Sequence, residues 1–213
     1  MSTKNDASHI KTLLIDFLIE NYNIELIASE VPYLFGYRRA DLVAIINNNM
    51  VAFEIKSELD SLSKLEAQVN DYIEVFNKVY VVLAKKFQHC SVVSKLHKKV
   101  GILYIDANDE IIYYRKAKEQ KILKKEKLIY FFKKDELNKI NNIDTKLSLR
   151  KTREIFLKRN STKKIVEYSK NILRSKYLTQ YNKFIEEKGK YTIEEDLSSI
   201  TGIGKNNHIL HLP

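Results

Sequence analysis

The sequence predicts an α/β fold: a mixed β-sheet flanked by helices, with a helix–strand–strand–strand–helix–strand core, followed by a region built from helices alone. Three observations predict it. Apolar residues recur at helical spacing over residues 8–22, where Ile10, Leu13, Leu14, Phe17 and Leu18 form a stripe. Two runs rich in β-branched and aromatic residues, ADLVAII and MVAFEIKS, contain no Gly or Pro and flank Asn47-Asn48-Asn49. Asn tolerates positive φ, so this triplet suits a tight hairpin turn. From Ala117 onward no strand pattern recurs, whereas amphipathic helical spacing continues. The expected division is an αβ domain over residues 1–116 and a basic α-helical region over residues 117–213.

The elements follow in order. Ser8 is placed to cap the first helix. Residues 24–34 read as the first strand, and Pro32 argues for an edge or a bulge because it donates nothing to a ladder. Gly36-Tyr37 turn the chain into the hairpin. Asp60 is a candidate N-cap for a helix over residues 61–76, whose buried stripe is Leu62, Leu65, Val69, Ile73 and Phe76. Residues 78–84 are almost continuously apolar, which suits a strand covered on both faces. A helix is expected over residues 86–98, a strand over 101–106, and a hairpin through Asn108-Asp109 into 111–114. The C-terminal helices break near residues 141–144, and a last helix is expected over 193–200.

The hairpin carries the chemistry. A turn centred on Asn47-Asn48 sets Asp41 opposite Glu54. Side chains alternate along a strand, so Glu54 and Lys56 share a face. Two carboxylates and an ammonium then meet on a sheet whose other positions are apolar. Charges in that setting are costly unless paired or holding a metal. A hard divalent cation relieves the repulsion between two carboxylates, and Mg²⁺ takes oxygen ligands. The competing interpretation is a cross-strand ion pair on a solvated face, which the apolar flanks weaken.

The pattern Asp41, twelve residues, Glu54-Ile55-Lys56 resembles the PD-(D/E)xK nuclease superfamily, although Ala40 stands where a Pro often precedes the Asp. Gln68-x-x-x-Tyr72 on the following helix resembles the QxxxY signature of RecB-type nuclease domains and of small stand-alone bacterial or phage relatives. Positions i and i+4 share one helical face. The resemblance covers residues 8–106 and implies a restriction-endonuclease-like fold. It further implies Mg²⁺ or Mn²⁺ held by Asp41, Glu54 and the Ile55 carbonyl, with Glu30 assisting from the first strand. Lys56 would orient the attacking water, Gln68 and Tyr72 would support the site, and the product would carry a 5′-phosphate. Arg38 and Arg39, just before the Asp, are candidates to clamp a phosphate. Glu20, near the end of the first helix, is a weaker candidate ligand.

Composition narrows the partners. The net charge is +10, but residues 1–111 carry 12 Lys and Arg against 15 Asp and Glu, while residues 112–213 carry 25 against 12. A basic module beside an acidic metal site points to a phosphodiester substrate, with DNA ahead of RNA. Tyr168, Tyr177, Tyr181 and Tyr191 alternate with cations, a mix that suits nucleic acid, although for any single Tyr packing inside a helical bundle is the more ordinary role. The C-terminal helices also offer a surface for a protein partner or a second copy. No apolar run is long enough for a membrane span. One cysteine, Cys90, excludes an intrachain disulfide and suggests the cytoplasm. His89, Cys90 and His97 lack the paired spacing of a zinc site and are read as structural. Gly202-Ile203-Gly204-Lys205 is not a phosphate-binding P-loop and only faintly resembles a helix-hairpin-helix turn. The expected function is a metal-dependent nuclease. The alternatives are a non-catalytic nucleic-acid-binding protein or a subunit of a defence or mobile-element complex.

Overall fold

The computed structural model describes residues 6–33, 38–142 and 146–201. Six strands form one mixed sheet in sequence order: β1 (Ile24–Tyr33), β2 (Arg38–Ile46), β3 (Asn49–Lys56), β4 (Lys78–Leu83), β5 (Gly101–Ile105) and β6 (Ile111–Arg115). β1, β2 and β3 are antiparallel, β3, β4 and β5 are parallel, and β6 returns antiparallel on β5. The turn chemistry sets the register. Asn47 and Asn48 adopt φ of 49° and 62°, as a two-residue type I′ turn requires. The ladder therefore runs from Ile46↔Asn49 to Leu42↔Phe53, the registration expected from the Asn run. Pro32 lies in β1, an edge strand whose outer side is bridged at Ser29 by Thr201.

Helix α1 (Ala7–Asn21) packs against the sheet, and Asp6, rather than Ser8, caps it by accepting from the His9 N–H. The β3–β4 crossover carries α2 (Leu65–Tyr72), which is shorter than the expected 61–76. Asp60 does not cap that helix; its carboxylate accepts from the Ser57 N–H and Oγ and closes a turn before it. The single helix expected over 86–98 is instead a 3₁₀ turn (Lys85–Phe87) and the five-residue α3 (Ser91–Lys95), separated by extended Cys90. Gly101 opens β5 where no Cβ fits. An added Cβ would lie 2.2 Å from the Tyr80 ring, which stacks on Phe53.

After β6 come α4 (Lys125–Leu128), a 3₁₀ turn (Ile129–Phe131), α5 (Lys134–Asn141), α6 (Leu149–Arg159), α7 (Thr162–Glu187) and a 3₁₀ segment (Glu194–Ile200) in place of the expected last helix. Both halves of the chain share one hydrophobic core. Helix α7 lies against β1, where Arg174 pairs with Glu25, and Lys170, 3% exposed, donates to the Asn48 carbonyl and Oδ1 at 3.1 and 2.8 Å. Tyr177 and Tyr181 are buried in that packing, Tyr168 lies against Phe156, and Tyr191 is exposed. Among the described residues no helix is long and apolar enough to cross a membrane. The Gly36-Tyr37 turn, the end of the 141–144 break and the Gly202–Lys205 run lie outside the described residues.

Candidate active site

The candidate site sits where β2 and β3 diverge beyond Leu42↔Phe53, with α2 laid over one face. Asp41 ends the ladder. Its Oδ2 accepts from the Ile55 N–H at 2.7 Å, replacing the backbone partner that the parting strand no longer supplies. Glu54 is 1% exposed, and both of its oxygens are engaged. Lys56 Nζ donates to Oε1 at 2.7 Å and the Tyr72 hydroxyl to Oε2 at 2.6 Å. Lys56 Nζ also donates to Gln68 Oε1 at 3.1 Å. Glu54 and Lys56 thus share a face, and the i, i+4 pair of α2 comes down upon them. A helix of two turns suffices, because Leu65, Val69 and Tyr72 are buried and fix its roll.

Aromatic packing holds Tyr72 in place. Its ring meets Tyr33 edge-on at 5.2 Å and Phe76 at 5.7 Å, and its hydroxyl also reaches the Arg39 carbonyl at 3.1 Å. Burial, with Glu54 and Asp41 close by, raises the Tyr72 hydroxyl well above its ordinary range, so it stays a donor.

Asp41 responds to the same surroundings. Burial is the largest influence and the Glu54 charge the next. Together they push its carboxyl up to about 7, against the opposing pull of the Ile55 N–H and of Lys11. Two carboxylates confined in a low-dielectric corner favour a proton or a cation between them.

Glu30 lies on β1 beside Asp41 and adopts a φ of 53°, uncommon for a residue other than Gly or Asn. Its Oε1 is held by Lys11 Nζ at 2.8 Å. Among the described residues no three Asp, Glu, His or Cys side chains gather as a metal-holding group. The Glu30 charge is still close enough to contribute to raising the Asp41 carboxyl. Arg38 is drawn to Asp71 on α2 at 3.3 Å, and Arg39 is exposed. Glu20 extends from α1 on an exposed position near its end.

Lys11 was not singled out in the sequence. It is 8% exposed and bridges Ser29 Oγ, at 2.9 Å, and Glu30; Ser29 Oγ in turn donates to the Asp41 carbonyl at 3.2 Å. The available signal was its place one turn before Ile15 and two before Leu18, which puts an ammonium on a buried helix face.

Comparison with known proteins adds a family. A model of the bacteriophage P4 protein cII family matches residues 1–201. The chain belongs to the bacteriophage P4 protein cII family. Protein cII of Enterobacteria phage P4 is 28% identical over 186 residues, covering 83% of this chain and 69% of that protein. Among solved structures, the SPO1766 protein of unknown function from Silicibacter pomeroyi is 15% identical, with a TM-score of 0.35 over 78% of this chain and 84% of that one. A likeness that distant carries no argument about function.

The donor set suits a hard divalent cation. Asp41 and Glu54 supply two oxygen-donor side chains, the number that Mg²⁺ commonly takes from a protein that leaves its other positions to water and phosphate. No imidazole or thiolate is among the residues that make up this network.

Proposed function

We propose that this family member is a metal-dependent nuclease with a PD-(D/E)xK-like fold, acting on nucleic acid in the cytoplasm, with DNA the first candidate. The observation that carries the reading is the hydrogen-bonded cluster of Glu54, Lys56, Gln68 and Tyr72, with Asp41 tied beside it to the Ile55 N–H. Four of the five side chains of the two sequence motifs are linked directly, and Asp41 reaches them through the backbone of the residue between Glu54 and Lys56. An isolated ion pair needs none of the other three partners.

The residues divide the work by chemistry. Asp41 and Glu54, with the Ile55 carbonyl, would hold Mg²⁺ or Mn²⁺. When bound, the ion supplies charge neutralisation at the phosphate and a water of lowered pKa. Tyr72 and Lys56 fix the two Glu54 oxygens, so that carboxylate is oriented before any substrate arrives. An ammonium has three N–H donors; Glu54 and Gln68 take two of the Lys56 donors, leaving one to orient a water towards phosphorus. Arg39, exposed beside the site, is free to approach a phosphate oxygen, whereas Arg38 would first have to leave Asp71.

Asp41→Asn gives the cleanest test, because it keeps the shape and removes only the charge. Purified protein is incubated with plasmid, linear duplex and single strands in Mg²⁺, Mn²⁺ or EDTA, beside Asp41→Asn and Lys56→Ala, each checked for folding by thermal melting. Cleavage that needs the metal and disappears in both variants supports the enzyme. Binding without cleavage under any metal overturns it in favour of a non-catalytic binder, and the absence of binding overturns both.

A further inference from the structure

Helices α6 and α7 meet at a sharp corner: only Asn160 and Ser161 join Arg159 to Thr162. The corner is pinned from inside. Asn160 is buried, and its amide donates to Asn141 Oδ1 at 3.1 Å and to the Phe156 carbonyl at 2.9 Å; Ser161 Oγ caps α7 by accepting from the Lys164 N–H. On this rigid elbow the sequence places seven Lys and Arg against one Glu in residues 150–164. Over residues 112–213 one residue in four is Lys or Arg; here the proportion is close to one in two, so the general lysine richness of the chain does not explain it.

The placement runs against helix electrostatics. Helix N-termini favour acidic residues, because the exposed N–H groups carry partial positive charge. Helix α5 obeys, with Asp135 and Glu136 in its first turn, and the last 3₁₀ segment begins with Glu194, Glu195 and Asp196. Helices α6 and α7 have no acid in the first turn. In that turn α6 carries Arg150 and Lys151, and α7 carries Lys163 and Lys164, all exposed. Glu154 compensates only the first pair, at 3.4 and 3.3 Å. Lys158, Lys163 and Lys164 have no acidic partner within salt-bridge distance among the described residues. At about 100° per residue, Arg150, Lys151 and Lys158 fall within one arc of roughly a quarter turn of α6. Crowding like charges costs stability unless a polyanion neutralises them.

We propose that the α6–α7 corner is a phosphate-backbone-binding surface for nucleic acid, separate from the hydrolytic site, with Lys151, Lys158, Lys163 and Lys164 as its principal contacts. The choice of partner rests on the nuclease reading. Lys151, Lys158, Lys163 and Lys164 are exposed point charges, and the nearby Tyr130 ring is covered by Arg153 at 5.0 Å, so the surface reads backbone charge rather than bases.

The test measures binding by fluorescence anisotropy of labelled duplex in EDTA, so that no cleavage intervenes, over a series of salt concentrations. The variant replaces Lys151, Lys158, Lys163 and Lys164 with Gln. The control replaces Lys95, Lys98, Lys118 and Lys121, equally exposed, with Gln. A third protein carries Arg at the four corner positions. The corner variant is expected to bind at least about tenfold more weakly near 0.1 M salt. Its slope of log affinity against log salt should be smaller by about 2–4, since each phosphate contact contributes about 0.9. The control and the Arg protein should bind as the native chain does.

Equal losses in the corner and control variants overturn the proposal, as does failure of the native chain to bind, or vesicles rich in phosphatidylserine competing as well as duplex. Native binding through the corner without metal-dependent cleavage sinks the nuclease reading alone. Cleavage by a corner variant with undiminished affinity sinks the corner alone.

Discussion

The β2–β3 hairpin and the α6–α7 corner use charge in opposite ways. In the hairpin, Glu54 and Lys56 are withdrawn from water, and each charged atom meets a partner of fixed geometry. At the corner the cations stand in water, and three lack an acidic partner among the described residues. A buried charge network is sensitive to the loss of any one member, because the survivor remains desolvated. An exposed cluster changes long-range attraction and leaves the fold nearly untouched. Mutations in the hairpin should therefore alter stability and chemistry together, and mutations at the corner should alter binding alone.

Glu54→Ala should give the largest effect. It leaves the Lys56 ammonium and the Tyr72 hydroxyl buried with half their partners gone. A stability loss of roughly 3–5 kcal/mol is expected from denaturant unfolding, with metal-dependent cleavage abolished. A loss under about 1 kcal/mol would mean that the network is solvated, and the contrast with the corner would disappear.

The next effect is a pH dependence. Asp41 has its carboxyl raised to about 7 in the folded chain, against an ordinary value of 3.8. Below pH of about 4 both states hold the proton, and Asp41 contributes no slope. Between about 4 and 7 the folded state keeps a proton that the unfolded state has lost, so this group makes stability fall as pH rises, levelling off above about 7. The fall is on the order of 2–4 kcal/mol. Asp41→Asn should remove that component, so thermal melts of the two proteins from pH 4 to 8 should diverge in this direction. Adding Mg²⁺ at pH 8 should raise the melting temperature of the native chain and not that of the variant. Parallel melting curves would show that Asp41 is ionised and solvated.

The parts of this arrangement readable from the sequence are the local ones. Asn47-Asn48 sets the hairpin register through its own backbone preference, and the register brings Asp41 just past its last pair, Leu42↔Phe53, close enough for the Glu54 charge to raise its carboxyl. Gln68 and Tyr72 share a face by helical spacing alone. What escaped depends on partners distant in sequence. Lys11 finds Glu30 nineteen positions away, and no local pattern announces that ion pair. The start of α2 escaped because Asp60 can cap a helix or close a turn on Ser57, and Lys86 holds the turn by donating to the Glu58 and Asp60 carbonyls. The helix expected over 86–98 had apolar residues at Phe87, Cys90, Val93 and Leu96, a strict repeat of three that spreads halfway round an α-helix. That spacing is met equally by two short turns lying on the sheet.

Tyr72→Phe should follow in size. It removes one hydroxyl that donates to a buried carboxylate at 2.6 Å, a bond of the charge-assisted kind. The ring stays packed between Tyr33 and Phe76, so the loss is confined to about 2 kcal/mol, and the melting temperature should drop by about 4–8 °C. Cleavage should fall without vanishing, because Lys56 still holds the other Glu54 oxygen. An unchanged cleavage rate would reduce Tyr72 to a packing residue.

Lys170→Met should give the smallest effect and says most about how the two regions meet. Lys170 is a buried cation of the helical region that reaches the hairpin, gripping Asn48 and pairing with Glu167 at 2.5 Å. Asn48 itself is exposed, so water replaces the lost donor at its carbonyl, and Met fills the stem of the lysine. The cost should be about 1 kcal/mol, or a melting temperature lower by about 2–4 °C. The turn lies six residues from Glu54 along an extended strand, roughly 20 Å. The register between them is held by the Asn47-Asn48 turn and by the ladder from Ile46↔Asn49 to Leu42↔Phe53, neither of which needs Lys170. Cleavage should therefore stay within about twofold of the native rate at a temperature where both proteins are folded. If it falls much further, α7 positions the active hairpin through this lysine, and the helical region belongs to the site rather than beside it.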